Sequence, residues 1–515
     1  MRRCSVTSTK KRKGRRWAQG RAPACADSGM VLTSRARVAD MADTFYWYDL
    51  ETTGTNPKWD RIVQFAGLRT DLELNPVGAP LCFYIRLPDD VLPNPDASLV
   101  TGITPSKLAA EGVSEFEGLQ KIMLEFNTPG TCALGYNSLR FDDEFMRYAL
   151  YRHLQDPYAR EYRNGNTRWD MVDLVRASGA LRREGIHWPV DDAGQAVYRL
   201  EELTKVNGID HGQAHDAMSD VYATIGIAKL LKQNQPKLFD YYYSLRRKKY
   251  VKELLEPLGA RLCAHVSAVY GKDRFNVAPV MSLTRHPSNT NAIVVADLGE
   301  DVECLLDWNE DEIRRKLFVP KGEMRAPLRE VKINRSPFVA PFEVLTDENL
   351  QKLSLSTKVI KERWRRLKQP ALAQKVRRAY VQDGMQNEAD PDAALYGTFL
   401  LDEDKARSNH LYAEIDAGRW SNLDFRDQRL PVLATRMKAR SFAHLLDAAE
   451  AADWHDYVKE KLSTEGDWLN IGDFEHRLSE LEALETAPSK HAVLAELRQY
   501  GEGLKAKYGL TSAND

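Results

Sequence analysis

An α/β domain, followed by a β-rich region and then a helical one, is the fold class that the sequence predicts, and three observations carry it. Between about residues 45 and 232, short strand-like runs alternate with helical stretches, the pattern of an α/β domain. From about 236 to 356 strand signals dominate after one short helix, spaced by Gly, Pro and Asn turns. From 358 to about 507 apolar residues recur at helical spacing. At 515 residues the chain has room for two to four domains, each able to bury a core.

In chain order, residues 1–40 come first. They hold eleven Lys/Arg and two acids, with the like-charge block Thr9-Lys-Lys-Arg-Lys-Gly-Arg-Arg16 and almost no apolar periodicity. That composition reads as a disordered basic extension outside the fold, with Met41 or Met30 as alternative starts. A nucleic-acid-binding arm or a targeting segment is the functional alternative. The first domain then shows strand-like runs at Phe45–Tyr48, Ile62–Gly67, Leu81–Arg86 and Thr131–Tyr136, and a helix from Ala217 to about Lys232. Asn234-Gln-Pro-Lys-Leu-Phe breaks the pattern and marks a boundary. Strand signals follow at Leu262–Tyr270, Asn276–Met281, Asn291–Asp297 and Glu330–Ile333, then amphipathic helical patterns at 358–384, 436–462 and 468–506.

Composition excludes several classes. Hydrophobic content of 43% and charged content of 29% are those of a soluble protein, and no run of 18 apolar residues offers a membrane span. The six cysteines form no Cys-x-x-Cys pair, which argues for reduced thiols and a cytoplasmic setting. Net charge is −1, but residues 1–40 carry +9, so the body from 41 to 515 carries −10. An acidic body weakens non-specific attraction to nucleic acid, so any such binding needs a local basic, aromatic-lined channel.

The most informative stretch is Phe45-Tyr-Trp-Tyr-Asp49-Leu-Glu51-Thr-Thr-Gly54. Side chains at i and i+2 of a strand share a face, so Asp49 and Glu51 stand side by side and repel unless a cation lies between them. Oxygen-preferring divalent ions such as Mg²⁺ or Mn²⁺ meet that demand. Gly135-Tyr-Asn-Ser-Leu-Arg-Phe-Asp142-Asp143 supplies a second acidic site, and Ala214-His215-Asp216-Ala-Met-Ser-Asp220 opens a helix with His215 and Asp220 placed for one cleft. Each later residue has a plainer alternative: Asp142 as a helix cap, Asp216 as the cap of its own helix, His215 as a loop histidine.

The order Asp49-x-Glu51, Asp142, His215-x-x-x-x-Asp220 resembles the DEDD exonuclease superfamily in its histidine-containing form. Asp-Leu-Glu-Thr-Thr-Gly-Thr-Asn-Pro, Leu99-Val-Thr-Gly-Ile-Thr-Pro105, Gly-Tyr-Asn-Ser-Leu-Arg-Phe-Asp-Asp-Glu and Leu200-Glu-Glu-Leu-Thr-Lys-Val-Asn-Gly-Ile resemble the bacterial exonuclease I family from about Tyr46 to Leu504. The resemblance implies a ribonuclease H-like 3′-to-5′ exonuclease domain over 45–232, an SH3-like domain over 236–356 and a helical C-terminal domain over 358–507. It implies processive degradation of single-stranded DNA to nucleoside 5′-monophosphates, in repair and recombination; the sequence shows no heptad seam or obvious symmetric face, so a monomer is expected.

In a two-metal site the ions lie about 3.5–4 Å apart, one activating water and the other stabilising the leaving oxygen. Asp49 is the expected bridge between two Mg²⁺ ions (or Mn²⁺), with Glu51 and Asp220 completing the water-activating site and Asp142 acting on the second ion through water. His215 is the expected proton acceptor, since imidazole titrates near neutral pH. Asp143 and Asp216 are the rivals for the acidic roles. The family positions place Thr52, Leu99, Thr101 and Gly102, with Glu51, near the 3′-terminal nucleotide and make Arg199 a substrate-binding residue. Arg147, Tyr158, Tyr162 and Arg176 fall where the family leads the strand to the site, with Tyr162 replacing an expected tryptophan. The plainer alternatives are exposed helix charges for Arg147 and Arg176, and core for Tyr158. Arg182 and Tyr241 match a patch that receives the acidic tail of single-stranded-DNA-binding protein. Two other readings stay open: an RNA-trimming or proofreading nuclease of the same superfamily, and a catalytically dead binding module.

Overall fold

The computed structural model describes residues 43–212, 215–320, 323–381 and 388–510. The expectation for residues 1–40 lies outside them.

Strand β1 (Thr44–Thr52) is the centre of the first sheet. It is longer than the aromatic run suggests, because Asp49 and Glu51 continue the ladder, opposite Ala66 and Gln64 of β2 (Ile62–Thr70). β3 (Leu81–Tyr84), β4 (Thr131–Gly135) and β5 (Thr167–Asp170) complete the order β3-β2-β1-β4-β5. The β3-β2-β1 side is antiparallel, and β1-β4-β5 is parallel. β5 was not legible: four residues, Thr-Arg-Trp-Asp, are too few to show a period.

Alternation along β1 sorts its side chains onto two cores. Tyr46, Tyr48 and Leu50 pack with Leu119, Ile122 and Phe126 of a helix at Glu115–Phe126 and with Phe145 and Met146. Phe45 and Trp47 pack on the other face with Val221 and Ile225. The helices of this domain are α1 (Pro95–Thr101), α2 (Pro105–Glu111), α3 (Glu115–Phe126), α4 (Asp142–Arg152), α5 (Met171–Leu181), α6 (Leu200–Val206) and α7 (Ala217–Asn234). Two short helices follow, not one: α8 (Pro236–Ser244) and α9 (Lys248–Leu255).

The second sheet is antiparallel throughout, in the order β10-β6-β7-β8-β9. Its strands are β6 (Leu262–Val266), β7 (Val277–Arg285), β8 (Ala292–Asp297), β9 (Leu328–Lys332) and β10 (Phe338–Pro341). The last is a four-residue edge strand that the sequence did not signal.

Beyond it the three long helical patterns are each broken in two. Pro370 opens a new helix after Thr357–Leu367, and Pro488 opens another after Ile471–Leu484, because proline lacks the N–H that helix continuation requires. The third break lies between Arg429–Ser441 and Ala448–Ser463, where Asp447 and Glu450 form a reciprocal capping box.

Buried ion pairs fasten these helices to the first domain. Arg440 grips Asp90 (2.7 and 3.0 Å) and Asp392 (2.6 and 3.3 Å), and Lys461 donates to Asp90 at 2.9 Å. Both aspartates are fully buried, and Asp90 lies just before α1. Arg477 adds a two-pronged pair to Asp96 of α1 (2.7 and 2.8 Å).

Candidate active site

Asp49 and Glu51 share the β1 face of Phe45 and Trp47, which is the face that α7 covers. Asp220, in the first turn of α7, meets them there: one carboxylate oxygen from each of the three lies within 4.8 Å of the others. Asp142 arrives at the start of α4, and its Oδ1 accepts the N–H of Leu50 at 3.1 Å, between the two strand carboxylates in sequence.

The two rivals have other work. Asp143 accepts from Tyr48 Oη (2.7 Å), Arg168 Nη1 (2.5 Å) and Arg160, so it is a buried ion-pair partner. Asp216 caps α7 by accepting from Ser219 N (3.2 Å) and also receives Gln64 Nε2 (3.0 Å).

Electrostatics separates the adjacent aspartates as sharply as geometry does. Burial would raise Asp143, but the guanidiniums of Arg160 and Arg168 hold it below the usual carboxylate range. Asp142 is raised well above that range by burial and by its acidic neighbours. Asp49 is raised for the same reasons, burial first and then Asp142, Asp220 and Glu51. Glu51 is pushed up to about 9 by burial, then by Asp220 and Asp142. Asp220 is raised by burial, partly offset by His211. Four carboxylates thus share a place where the chain supplies little positive charge. An all-oxygen donor set with uncompensated charge fits hard divalent cations.

The histidines divide unexpectedly. His215 is exposed on the loop before α7 with φ at 63°. Among the described residues, the imidazole that bonds the cluster is His211, whose Nε2 lies 2.5 Å from Asp220 Oδ1. Sequence reading missed His211, although it lies four residues before the histidine that was singled out.

Thr52 is buried at the end of β1 and donates its hydroxyl to Gly54 O at 2.6 Å. Asn94 N donates to Thr53 O at 2.8 Å, which sets α1 against that strand end. Thr101 and Gly102 close α1, and Gly102 adopts φ of 69° with open space beside it. Leu99 leans on the C-terminal helical core. Arg199 is exposed where α6 begins.

A cleft of about 1180 Å³ lies between the first domain, the second sheet and the segment 395–405. Nine Lys/Arg and three acids line it, with six Tyr/Phe, which supplies the local basic, aromatic surface that an acidic body requires. Arg147, Tyr158 and Tyr162 belong to it. Arg147 is 4% exposed, paired with Glu161 (2.7 and 3.1 Å) and Glu144 (2.7 Å), and stacks over Tyr158, so it is no free helix charge. Tyr162 is exposed. Arg176 is not part of the lining and pairs with Asp173 at 2.8 Å. The sequence reading passed over Lys332, Arg335 and Phe399, and the run Arg246-Arg-Lys-Lys249 that also lines the cleft, although that run was visible. Helix α4 links the two features, with Asp142 at the carboxylates and Glu144 and Arg147 on the cleft.

Arg182 follows α5 and donates to Leu181 O at 2.5 Å; Tyr241, on α8, donates to Val339 O of β10 at 2.7 Å. Both remain partly exposed. No helix among the described residues is long and apolar enough to cross a membrane, and the described cysteines are all free.

Comparison with known proteins places the chain. The family model for "Exonuclease" matches residues 46–228, that for "Exonuclease I SH3-like domain" 246–382, and that for "Exonuclease I C-terminal domain" 389–504. Exodeoxyribonuclease I of Haemophilus influenzae is 39% identical over 469 residues, which span 89% of this chain and 98% of the relative. The structure of exonuclease I from Methylocaldum szegediense superposes with a TM-score of 0.84 at 41% identity, covering 90% of this chain and all of that one. The zinc-bound form of the Escherichia coli exonuclease I–single-stranded DNA complex superposes at 0.84 with 36% identity, covering 90% and 99%. The chain is therefore a nuclease, a hydrolase with an exonuclease domain, an SH3-like domain and a helical C-terminal domain, and it belongs to the exodeoxyribonuclease I family.

Proposed function

We propose that the chain is a processive 3′-to-5′ exonuclease that hydrolyses single-stranded DNA to nucleoside 5′-monophosphates with two Mg²⁺ ions, Mn²⁺ being able to substitute. The observation that carries this reading is the Asp49–Glu51–Asp220 cluster, whose ligand oxygens lie within 4.8 Å of one another and in which the charges acting on Asp49 and Glu51 are further carboxylates. The Escherichia coli relative solved with single-stranded DNA and zinc supports the substrate and the use of a divalent metal.

In this reading Asp49, Glu51 and Asp220 would hold the metal ions, with Asp142, fixed by the N–H of Leu50, as the further carboxylate for a second ion. When bound, the ions would lower the pKa of water and neutralise charge on the leaving oxygen. His215 would accept the proton of the attacking water at an imidazole nitrogen. Thr52, Thr101 and the open backbone at Gly102 border the 3′-terminal nucleotide with Leu99, while Arg199 binds its phosphate. The remaining strand lies in the basic cleft, where Tyr158 and Tyr162 offer stacking faces and Lys248 and Arg335 offer phosphate contacts, none of which depends on base identity. Enclosure between three regions of the chain supports processivity and excludes duplex by width. Arg176 lies off that cleft. The domain limits proposed from the sequence are 45–232, 236–356 and 358–507.

We further propose that the enzyme is a cytoplasmic monomer acting in repair and recombination. Arg182 and Tyr241, at the seam of α5, α8 and β10, would receive the acidic tail of single-stranded-DNA-binding protein; unchanged binding of a tail peptide by Arg182→Ala would remove that assignment.

The test is cleavage of 5′-labelled single-stranded DNA with Mg²⁺ or EDTA, beside duplex DNA and RNA. Metal-dependent shortening of the single strand from its 3′ end is expected. Equal or faster attack on RNA would move the chain to a trimming role, and binding without cleavage would make it a dead module.

A further inference from the structure

We infer that His211 is a positioning residue of the active site: it holds Asp220 in the orientation in which that carboxylate joins Asp49 and Glu51. The inference rests on the proposed reading of those three residues as metal ligands. His211 Nε2 lies 2.5 Å from Asp220 Oδ1, and its Nδ1 lies 3.0 Å from Thr204 Oγ1. Thr204 is fully buried, and its hydroxyl is itself held over the Leu200 and Glu201 carbonyls of α6 at 2.9 and 3.0 Å. The imidazole is therefore clamped at both nitrogens, between a rigid helix and a site carboxylate. Where Asp220 is a carboxylate it accepts from Nε2, and the single Thr204 hydroxyl proton is shared between Nδ1 and the α6 carbonyls.

The loop that carries His211 is built to return it to α7. Gly208 takes φ of 64° directly after α6, and Ile209 N donates to Thr204 O at 2.9 Å. Ile209 then sits so close to Gly226 of α7 that a Cβ there would lie 2.6 Å from its Cγ2. Close packing at a residue without a side chain thus fixes the loop against the helix that bears Asp220. The need for such a clamp follows from the charges. Asp220 faces Asp49 and Glu51, repels both and is 18% exposed, so an unrestrained side chain would swing toward solvent. A donor fixed on one oxygen sets the carboxylate plane, as outer partners of metal ligands do elsewhere. His215, exposed and 63° in φ, has no such clamp among the described residues, so the two imidazoles divide into a positioning group and a proton acceptor.

The test is Mn²⁺ binding to the full chain without DNA, measured by electron paramagnetic resonance, with a Mg²⁺ titration of cleavage beside it. His211→Ala is expected to weaken Mn²⁺ binding roughly 10- to 100-fold, the usual effect of removing an outer partner. His211→Gln, whose amide can donate to Asp220, is expected to recover most of it, and Thr204→Val to lose several-fold. At saturating Mg²⁺ the maximal rate of His211→Ala returns to within several-fold of the parent, whereas His215→Ala stays impaired at every metal concentration. Unchanged Mn²⁺ affinity in His211→Ala overturns the inference, and so does an unchanged affinity with a collapsed maximal rate, which would make His211 the proton acceptor. If His211→Ala does not fold, Thr204→Val decides alone, and parental affinity there overturns the clamp. Asp49→Asn separates the two levels: parental Mn²⁺ binding in that variant removes the metal reading and the clamp with it, whereas lost binding there with parental affinity in His211→Ala removes the clamp only.

Discussion

Two buried acidic regions of this molecule meet opposite fates. At the junction with the C-terminal helices, Asp90 and Asp392 are fully buried, yet both sit below the usual carboxylate range; burial opposes this, but Arg440 with Lys461 on one side, and Arg440 with Arg436 on the other, overcome it. In the Asp49–Glu51–Asp220 cluster of the first domain, half-buried Asp49 and buried Glu51 are raised, by burial and then because the groups around them are more carboxylates. Burial is common to both, so it cannot be what distinguishes them. What differs is whether the chain provides the countercharge. Where it does, the acids are fasteners; where it withholds it, the proposed reading has a cation from solution complete the site.

Substitution should break that symmetry most sharply. Glu51→Gln is expected to remove several kcal/mol of transition-state stabilisation, roughly 10³-fold in kcat, while raising the melting temperature of the metal-free protein, since an amide is spared the cost of taking up a proton on folding. Asp392→Asn is expected to do the reverse, costing about 3–5 kcal/mol in urea unfolding because the buried cluster of Arg440 and Arg436, though still paired with Asp90 and Asp390, is left one negative charge short. If both variants destabilised alike, the contrast would fail.

The pH dependence sharpens the comparison. Glu51 rises from its ordinary 4.5 to about 9 on folding, so between those values the native state holds more protons than the unfolded chain. Stability of the metal-free protein therefore falls as pH rises across that window, and Mg²⁺ should flatten the slope. Asp90 and Asp392 are depressed, so their contribution is present above the ordinary aspartate value and disappears as pH falls toward their native values. Urea melts with EDTA and with Mg²⁺ across pH 5 to about 9 would read the first limb, and acid unfolding the second.

The smallest expected effects belong to the cleft, where cations are compensated only in part. Tyr162→Ala should cost about 1–3 kcal/mol of strand affinity if one base stacks there. Lys248→Ala should lower the slope of log affinity against log salt by roughly 0.7, the share of one phosphate on a single strand. Fluorescence anisotropy with labelled oligonucleotides at several salt concentrations measures both.

The Asp49–Glu51–Asp220 cluster was legible in the sequence for a reason the Asp90–Asp392 junction was not. Period 2 puts Asp49 and Glu51 on one face whatever else the chain does, and Asp220 one turn into a capped helix has little freedom. The sequence also made Asp143 and Asp216 competitors, and only the positions of Arg160, Arg168 and Ser219 resolve that. His211 was hidden because its approach depends on a turn and on the gap at Gly226, neither of which has a periodic signature. The fasteners were hidden because Asp90 and Arg440 are 350 residues apart. The helix breaks at Pro370 and Pro488 were readable, and amphipathic spacing ran across them unheeded.

The most direct test of the central claim is calorimetric titration of Mg²⁺ into the DNA-free protein near pH 7, in buffers of different ionisation enthalpy. Carboxylates that hold protons for want of a countercharge must give them up to the metal, so binding should release protons, and Asp49→Asn should abolish it. Binding without proton release, or of equal strength in Asp49→Asn, would contradict the account.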